Sequence, residues 1–300
     1  MNLFNKSKIG LVLDTKFHRK NRWVSAFTPY FIEAFIKEFN PIIISSQLSY
    51  EWHKKKLKHV FSLEPGWGAP MIKFDKKLKQ TNYVFISDPQ NKTEWFEDYI
   101  QQKNINYLIS MYFNPFIKHF PNFSKERLIH FPWAIPDQFI SAQNIAVRSN
   151  EVAIFGGMND EAYDVRRWCG EQDGVTKYAN SGVENKIVSD KDYYKWLQGF
   201  DAVIAAGSSN PKYDLVTPKY LEIAATGALL IGQYCKDLEV LGLNEKNMLI
   251  FTKETFSESL LKYKTNPEKY LDIRKEGMAL IKNRHLISHR IALLKELFSK

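Results

Sequence analysis

The segment from Thr217 to Ile231 holds residues whose types and spacing suit phosphate and sugar chemistry. A hydroxyl residue followed by proline, here Thr217 and Pro218, is typical of a helix start, with the hydroxyl residue as N-cap and proline at the first helical position. The free N–H groups and positive dipole end of such a helix suit a pyrophosphate, beside Lys219. Glu222, one turn further on, could accept hydrogen bonds from both hydroxyls of a ribose. The spacing therefore predicts a nucleotide site at this helix start.

This segment resembles the donor-site signature of GT-B glycosyltransferases, in which a proline, a lysine and an acidic residue precede a glycine and an apolar strand. The closer resemblance is to the spore-maturation-protein-like (CgeB-like) branch of glycosyltransferase group 1. The resemblance implies hexosyl transfer from a nucleotide-sugar donor, which we expect to be a UDP-sugar, to a hydroxyl acceptor. In many retaining GT-B enzymes a second acidic residue lies eight positions before the glutamate. Here that position holds Asp214, a conservative but not identical pair that leaves the retaining or inverting outcome open.

Other segments resemble parts of the same family in the same order along the chain. Val152–Gly157 resembles the first strand and glycine turn of the donor domain, and two arginines follow it. Asp192–Ala206 resembles the region near the base pocket, Phe131–Ile135 the segment that closes the first domain, and the chain from Pro267 onward the paired terminal helices. The donor-contacting residues implied by the resemblance are Gly156, Gly157, Arg166 (with Arg167 as its alternative), Tyr193, Asp214, Thr217, Lys219 and Glu222. Taken singly, each could instead be a turn, helix or surface residue.

Two acidic residues and two histidines raise the question of a metal site. Asp190 and Asp192 form a D-x-D pair, which in GT-A glycosyltransferases holds a divalent metal against the nucleotide diphosphate. Ser189 and Asp190 suit a helix start better, because hydroxyl and acidic side chains favour the cap and first turn. His285 and His289 have no third ligand in view, so surface or domain-contact positions are expected for them. No metal or other cofactor is therefore expected.

Three side chains in the first half are candidates for the general base that deprotonates an acceptor hydroxyl. Asp14 and Asp88 lie just after predicted strands, and His18 lies in a polar loop after the first strand. A base at that edge must come within hydrogen-bond distance of the hydroxyl. Each of the three residues could equally serve as a turn or cap residue.

The formal net charge of +9 is concentrated in the first half of the chain. Residues 1–150 contain 21 lysines and arginines against 12 acidic residues, whereas residues 151–300 contain 21 of each. Lysines between positions 54 and 58 and between 73 and 79 are interleaved with aromatic residues such as Trp52 and Trp67. This mixture favours contact with an anionic glycan or polymer, a nucleic acid or an anionic membrane leaflet. A solvated basic surface would have the same composition.

Short apolar runs alternate with longer amphipathic stretches along the chain. We expect these strands and helices to position the candidate site residues. The predicted strands are Ile9–Leu13, Ile42–Ile44, Tyr83–Ile86, Tyr107–Ile109, Val152–Phe155, Ala202–Ala206, Ala228–Ile231 and Met248–Phe251. The predicted helices are Val24–Glu38, Glu94–Gln102, Tyr193–Gly199, Lys219–Thr226, Pro267–Lys282 and Ile287–Phe298. The alternation predicts an α/β fold with ligands bound at the carboxyl ends of parallel strands.

The pattern breaks between Arg127 and Asn150, where the charge balance also changes. We therefore expect two Rossmann-like parallel-sheet domains facing a cleft, of the GT-B type. The predicted domains are a basic acceptor-side domain at 1–145, a nucleotide-sugar donor domain at 146–285 and a terminal helix at 286–300 that packs back on the first domain.

Composition excludes several classes of protein. With 44% hydrophobic and 25% charged residues the chain can form globular cores, unlike a disordered protein. No apolar run approaches the roughly 20 residues needed to span a bilayer. The first ten residues lack the apolar stretch of a secretory signal. The two cysteines lack metal-type spacing. We therefore expect a cytoplasmic protein, with or without peripheral attachment to the inner membrane face.

Two other functions stay open at this point. One is a sugar-nucleotide epimerase of the same two-domain shape, which would act on the donor without an acceptor. The other is a non-catalytic module that binds polyanions and carries a degenerate nucleotide pocket. Donor hydrolysis without acceptor, epimer formation, and retention on a polyanion resin without turnover would separate the alternatives.

Overall fold

A computed structural model of the chain contains two parallel sheets built from short apolar runs. The structure describes residues 8–20, 25–91, 94–102, 104–179 and 189–300. Within these ranges, one compact unit contains residues 8–20, 28–132 and 291–300, and a second contains residues 25–27 and 133–290. None of the helices described combines the length and the apolar character needed to cross a lipid bilayer.

The first unit is built on a parallel sheet with the strand order β2-β1-β3-β4-β5-β6. The strands are β1 (Ile9–Val12), β2 (Ile42–Ile44), β3 (His59–Ser62), β4 (Thr81–Ile86), β5 (Tyr107–Ser110) and β6 (Leu128–His130). Leu11 of β1 lies opposite Ile43 on one side and Phe61 on the other. Because β2 and β3 lie on opposite sides of β1, the strand order reverses between β1 and β3. Such a reversal is where open parallel sheets bind ligands.

Aromatic side chains fill the core of the first unit. Its helices include α1 (Thr15–Lys20), α2 (Phe27–Phe39), α3 (Gln47–His53), α4 (Glu94–Ile100) and α5 (Asn114–His119). Phe31 and Phe35 of α2 pack on Phe61, with ring centroids 5.9 and 5.3 Å away. Phe298, near the C-terminus, contacts Phe35 and stacks on His59 at 5.2 Å. Residues 291–300 therefore complete this core.

The second unit has a parallel sheet with the order β11-β10-β9-β7-β8. The strands are β7 (Val152–Gly156), β8 (Thr176–Ala179), β9 (Ala202–Ala205), β10 (Leu229–Gln233) and β11 (Leu249–Phe251). Val152 lies opposite Ala202, which pairs β7 with β9, while β8 lies on the other side of β7. The strand order of this sheet therefore reverses between β7 and β9.

Seven helices are described in the second half of the chain, and two of them begin at residues typical of helix starts. They are α6 (Asp164–Cys169), α7 (Asp190–Leu197), α8 (Pro218–Ala225), α9 (Leu238–Leu241), α10 (Phe256–Thr265), α11 (Leu271–Arg284) and α12 (Ile287–Ser299). Ser189 caps α7 by accepting a hydrogen bond from the Asp192 backbone N–H at 3.2 Å, and Pro218 opens α8. Gly227 then turns the chain into β10 at a φ of +76°.

The chain divides between Pro132 and Trp133, earlier than the boundary at 145 expected from composition. Ile135 donates its N–H to the His285 carbonyl at 2.8 Å, and Ser141 donates its N–H to the Ala225 carbonyl at 3.0 Å. These backbone contacts place the stretch after Trp133 in the second unit.

A buried ion pair fixes the end of the same stretch. Asp201 accepts hydrogen bonds from the backbone N–H groups of Arg148, Ser149 and Asn150 at 2.7–3.0 Å. Its carboxylate also lies 3.4 Å from the Arg274 guanidinium, and both side chains are almost fully buried. Burial would raise the pKa of Asp201, but these hydrogen bonds and the Arg274 charge lower it, so the carboxylate stays ionised.

Candidate functional site

Gly156, the last residue of β7, lies where two cationic side chains meet. Its φ of +100° is in the left-handed region that favours glycine. A Cβ atom at this position would lie 2.9 Å from Cε and 3.0 Å from Nζ of Lys219, and 3.2 Å from Nη1 of Arg166. Backbone conformation and close approach thus both require glycine. We call Gly156, Arg166, Lys219 and Glu222 the Gly156 cluster.

Lys219 lies in the first turn of α8, beside N–H groups that have no partner within the helix. Its side chain is 8% exposed, and its ammonium nitrogen lies 3.9 Å from the centre of the Phe155 ring. Thr217 occupies the N-cap position but forms no side-chain cap bond. Within the described residues its buried Oγ1 has no hydrogen-bond partner. A buried hydroxyl, an ammonium group and a helix N-terminus together suit an anion.

Arg166 of α6 joins the turn after β7 to the turn after β9. Its side chain is 3% exposed; Nη1 donates to the Gly157 carbonyl at 3.0 Å and Nε to the Ala206 carbonyl at 2.9 Å. Burial lowers the pKa of Arg166, but a guanidinium group stays protonated in proteins. The neighbouring Arg167 instead donates to the Met158 carbonyl at 2.7 Å. Of the two predicted arginines, Arg166 is the one brought to Gly156.

Glu222 is a buried carboxylate at 2% exposure on α8. The Tyr193 hydroxyl donates to its Oε2 at 3.0 Å. Burial raises the pKa of Glu222, whereas the Lys219 charge and hydrogen bonding from Tyr193 lower it. Ser25 lies near this carboxylate and also lowers the pKa, yet within the described residues no hydrogen bond of normal geometry reaches the second oxygen, Oε1. That oxygen can accept a hydrogen bond from a ligand.

Tyr193 holds Glu222 in place as a hydrogen-bond donor. It is buried on α7, packed in a group of aromatic rings that includes Phe155 and Trp196. Burial raises the pKa of Tyr193 well above its ordinary value, and the nearby Glu222 charge adds to the effect. The phenol therefore keeps its proton and keeps donating to the carboxylate.

The turn after β9 is fixed from two sides by residues that the sequence analysis missed. Gln233, at the end of β10, accepts from the Gly207 N–H and donates to the Ser208 carbonyl, both at 2.9 Å. Asp164 of α6 accepts from the hydroxyls of Ser208 and Ser209 at 2.8 and 2.6 Å. These polar residues follow or precede predicted strands, but their partners are far away in sequence. No local signal identifies them.

Two other predicted donor residues, Gly157 and Asp214, are not members of this cluster. The Gly157 carbonyl receives the Arg166 hydrogen bond, and a Cβ atom at Gly157 would meet the Tyr163 ring at 3.3 Å. Asp214 accepts a hydrogen bond at 3.3 Å from the backbone N–H of Lys236, in the loop after β10.

The acidic pair of α7 is used in the helix start. Ser189 caps the Asp192 N–H and also donates its hydroxyl to the Asp192 carboxylate at 2.6 Å. Asp190 lies near enough to Glu222 to raise its pKa through charge repulsion. Among the residues that the structure describes, no three histidine, cysteine, aspartate or glutamate side chains are grouped to hold a metal ion. His285 is buried and bonds to the Leu241 carbonyl at 2.9 Å, so it is not a surface residue.

In the first unit, two of the predicted base candidates meet at the reversal between β1 and β3. The Gly68 carbonyl accepts from the Asp14 N–H and from His18 Nε2, each at 2.8 Å. Asp14 Oδ1 also accepts from the backbone N–H groups of Lys16 and Phe17, so it caps α1. Burial lowers the pKa of His18 more than the Gly68 hydrogen bond and the Asp14 charge raise it, so the imidazole is neutral at pH 7.

Glu64 and Trp67 are two further residues at this edge that the sequence analysis did not single out as site residues. Glu64 is 6% exposed and accepts hydrogen bonds from the backbone N–H and hydroxyl of Ser87. Trp67 is 60% exposed in the turn between Glu64 and Gly68. Asp88, the third base candidate, accepts from Gln90 at 3.2 Å. The apolar residues Val60, Phe61 and Leu63 precede Glu64 and are the local signal for a strand there.

This architecture, with two Rossmann-like parallel sheets and polar residues at both strand-order reversals, is that of GT-B glycosyltransferases. HepE of Anabaena, solved with UDP and glucose, matches 98% of this chain and 100% of its own at a TM-score of 0.62 and 9% identity. A glycosyltransferase from Rickettsia africae matches 98% of both chains, at a TM-score of 0.61 and 10% identity.

A longer solved structure has the same fold. A point mutant of S. aureus TarM, in complex with fondaparinux, α-GlcNAc-glycerol and UDP, matches 80% of this chain at a TM-score of 0.54 and 12% identity. This chain spans only 55% of that protein. At such identities the likeness to all three structures shows the fold alone.

Residues 141–296 match the family model described as glycosyl transferase-like, so the chain belongs to that family. The matched residues include the whole Gly156 cluster. No curated protein sequence matches the chain. Family and fold together support glycosyl transfer as the general activity.

Proposed function

We propose that this chain transfers a hexosyl group from a UDP-sugar to a hydroxyl group of a glycan acceptor. One observation carries the proposal: at the reversal between β7 and β9, two buried cationic side chains and a helix start lie beside a buried carboxylate, and within the described residues no hydrogen bond of normal geometry reaches its Oε1. A nucleoside diphosphate has the matching chemistry, because its phosphates are anionic and its ribose hydroxyls donate hydrogen bonds.

The donor would be held by residues of the second unit. Lys219, the Thr217 hydroxyl and the first N–H groups of α8 would contact the diphosphate. Glu222 Oε1 would accept from a ribose hydroxyl while Tyr193 holds the other carboxylate oxygen. Arg166 would add positive charge and keep the two glycine turns in place. In this proposal Asp214, Gly156 and Gly157 shape the site rather than bond to the nucleotide.

The transfer step needs stabilisation of the departing diphosphate. The acceptor oxygen forms a bond to the anomeric carbon, the bond from that carbon to the phosphate oxygen breaks, and UDP leaves with the electron pair. Preorganised positive groups aimed at that oxygen stabilise the developing charge. Lys219, Arg166 and the N-terminus of α8 supply such groups from the protein, so we propose a reaction that proceeds without a metal ion.

The first unit would bind the acceptor at the reversal between β1 and β3. His18 is the favoured general base among the predicted residues, because its neutral imidazole can accept the hydroxyl proton. Asp14 is engaged in capping α1, and Asp88 in the contact with Gln90. Glu64 is a fourth candidate at the same edge. The exposed Trp67 ring would pack against the face of a sugar.

The acceptor would be anionic, or presented on an anionic surface, because the excess of positive charge lies in residues 1–150. Such an acceptor should bind more weakly as salt increases, since counterions screen its attraction to lysines. Donor binding to the second half, where acidic and basic residues are equal in number, should respond less.

The test is product formation by the full chain with a panel of UDP-sugars and with neutral and anionic glycan acceptors. We expect acceptor-dependent UDP release, an acceptor that gains one sugar, and activity that persists in excess EDTA. The Glu222→Gln variant should lose most of this activity. The control is Glu276→Gln, the same substitution at an exposed position of α11, and it should retain the activity.

Other outcomes would overturn the proposal. Release of a sugar-nucleotide epimer without any acceptor would indicate an epimerase. Retention on a polyanion resin with no turnover of any donor would indicate a binding module. Loss of transfer in EDTA with rescue by manganese would contradict the metal-free reaction and favour the pair Asp190 and Asp192.

A further inference from the structure

Helix α3 and the short turn Lys54–Lys56 that follows it are attached to the first unit on two sides. Tyr50 is fully buried, and its hydroxyl accepts from the Asp75 N–H at 3.0 Å. The Lys54 ammonium group lies 2.6 Å from a carboxylate oxygen of Glu51 and 2.7 Å from one of Asp75. These contacts fix the orientation of the helix and leave its remaining side toward solvent.

The solvent side of α3 carries two large apolar side chains. Leu48 and Trp52 are each 79% exposed. Single exposed apolar residues are ordinary, but these two are four residues apart and therefore lie one turn apart on the same side of the helix. Their fixed exposure is not explained by packing within the first unit.

Lysine side chains continue this side of the helix. Lys55 lies seven positions after Leu48, so the path of α3 and the short turn brings it toward the same side, and Lys56 and Lys58 follow within three residues. Lys55, Lys56 and Lys58 are exposed, and in the described part of the chain none of them forms an ion pair with an acidic side chain.

A neighbouring segment adds a further cation. Lys73 is exposed, and its backbone is paired with α3: its N–H donates to Gln47 Oε1 at 2.8 Å, and its carbonyl accepts from Gln47 Nε2 at 3.2 Å. Lys54 is different, because its charge is already matched by Glu51 and Asp75. The positive charge available to a partner therefore comes from the other lysines.

We infer that Leu48 and Trp52, with Lys55, Lys56 and Lys58, form a face that docks the protein on an anionic phospholipid surface. We call these five residues the α3 face. Interfacial helices place leucine and tryptophan at the boundary between headgroups and acyl chains, and their lysines pair with anionic headgroups. The α3 face has both components, two apolar side chains one turn apart and exposed lysines in the residues that follow them.

A lipid surface fits this patch better than a nucleic acid does. A nucleic acid would use the lysines and could stack on Trp52, but it offers no apolar layer for Leu48. A bilayer surface uses both apolar side chains and the cations together. The inference concerns attachment only and does not depend on the proposed transfer reaction.

The test is sedimentation of the full chain with vesicles of phosphatidylcholine alone and with vesicles that contain about 30% phosphatidylglycerol. We expect binding to the anionic vesicles only, and weaker binding as salt increases. The double variant Leu48→Gln/Trp52→Gln should bind about tenfold or more weakly, because the apolar contact is lost. The triple variant Lys55→Gln/Lys56→Gln/Lys58→Gln should lose about fivefold for each lysine removed.

Matched controls separate this face from general effects. Leu261→Gln removes a leucine that is 68% exposed in the second unit, and it should leave vesicle binding unchanged. Lys246→Gln/Lys269→Gln/Lys282→Gln removes the same net charge from exposed positions of the second unit and should have little effect. Circular dichroism melting of each variant verifies that it is folded.

Three results would overturn the inference. They are equal binding of the wild-type chain to neutral and anionic vesicles, no binding to either, or full binding by the Leu48→Gln/Trp52→Gln variant. Binding to single-stranded nucleic acid that exceeds binding to anionic vesicles and depends on Trp52 but not Leu48 would identify the nucleic-acid partner instead.

Discussion

Gly156 carries two requirements at once, a left-handed backbone conformation and room for the Lys219 side chain. Gly174 offers a matched comparison, since its φ is +83° and a Cβ atom there would lie 2.9 Å from Nζ of Lys264. We expect Gly156→Ala and Gly174→Ala each to lower the free energy of unfolding by about 1–3 kcal/mol. Only Gly156→Ala should also weaken UDP binding, because it displaces an ammonium group of the proposed phosphate site. Chemical denaturation and calorimetry measure the two effects, and equal UDP affinity in both variants would contradict the assignment.

Glu222 links the proposed site to stability through its protonation. Since burial raises its pKa above the ordinary value of 4.5, ionisation costs more in the folded than in the unfolded chain. The stability from the protonated form is present below the ordinary pKa and is lost as pH rises through the raised folded value. Glutamine does not ionise, so the stability of Glu222→Gln relative to wild type should increase between about pH 4 and pH 7.

Thermal melting across that pH range measures this difference. Glu276→Gln removes an exposed carboxylate from α11 and should show no such trend. If Glu222→Gln became less stable relative to wild type as pH rose, the prediction would be contradicted. The folded protein would then stabilise the charge of the buried carboxylate.

At the scale of elements, we propose that helix α8 contributes to binding at its start and to stability at its end. Thr217 at its start has a buried hydroxyl without a hydrogen-bond partner in the described residues, whereas the Thr226 hydroxyl at its end donates to the Ile223 carbonyl at 2.7 Å. Thr217→Val should weaken UDP binding about 3- to 10-fold without loss of stability, as expected for one hydrogen bond to phosphate. Thr226→Val should lower the stability of the protein and leave UDP binding unchanged. Paired calorimetric and thermal measurements test both, and an unchanged UDP affinity in Thr217→Val would remove the hydroxyl from the site.

Elements with strong local signals were predicted well from sequence. The helix start at Thr217 and Pro218 and the strand Ile42–Ile44 need no distant contact to be identified. The contacts inside the site could not be predicted in this way, because the partners are distant in sequence. Tyr193 and Glu222 are 29 residues apart, and Arg166 and Ala206 are 40 residues apart. The family resemblance named Tyr193 and Arg166, but only the fold shows what they contact.

Strand β3 explains what the sequence analysis missed in the first unit. Its four residues, His59–Ser62, follow a lysine-rich stretch that was interpreted only as a basic surface. Because β3 was not predicted, the sequence analysis could not place Glu64 and Trp67 at the end of a strand. With β3 between β1 and β4, the turn after it lies beside the loop that carries Ser87 and beside helix α1, which carries His18 where the sequence analysis expected a polar loop.

At the scale of the whole chain, the two units repeat one arrangement with different chemistry. Each has a parallel sheet whose strand order reverses once beside its first strand, between β1 and β3 or between β7 and β9. In the second unit the reversal gathers buried cations and a carboxylate, whereas in the first it gathers a neutral histidine, acidic residues and an exposed tryptophan. This difference is the physical basis of our proposal that donor and acceptor bind to separate units.

The most direct test of the central claim, that the Gly156 cluster holds the donor nucleotide, is calorimetric titration of UDP into the full chain in excess EDTA. We predict saturable binding of UDP by the wild-type chain. Glu222→Gln should bind UDP more weakly by about 1–3 kcal/mol, the range for a hydrogen bond to a charged group, while Glu276→Gln should match the wild type. UDP affinity that is the same in Glu222→Gln as in the wild type, or no UDP binding by the wild type at all, would contradict the claim.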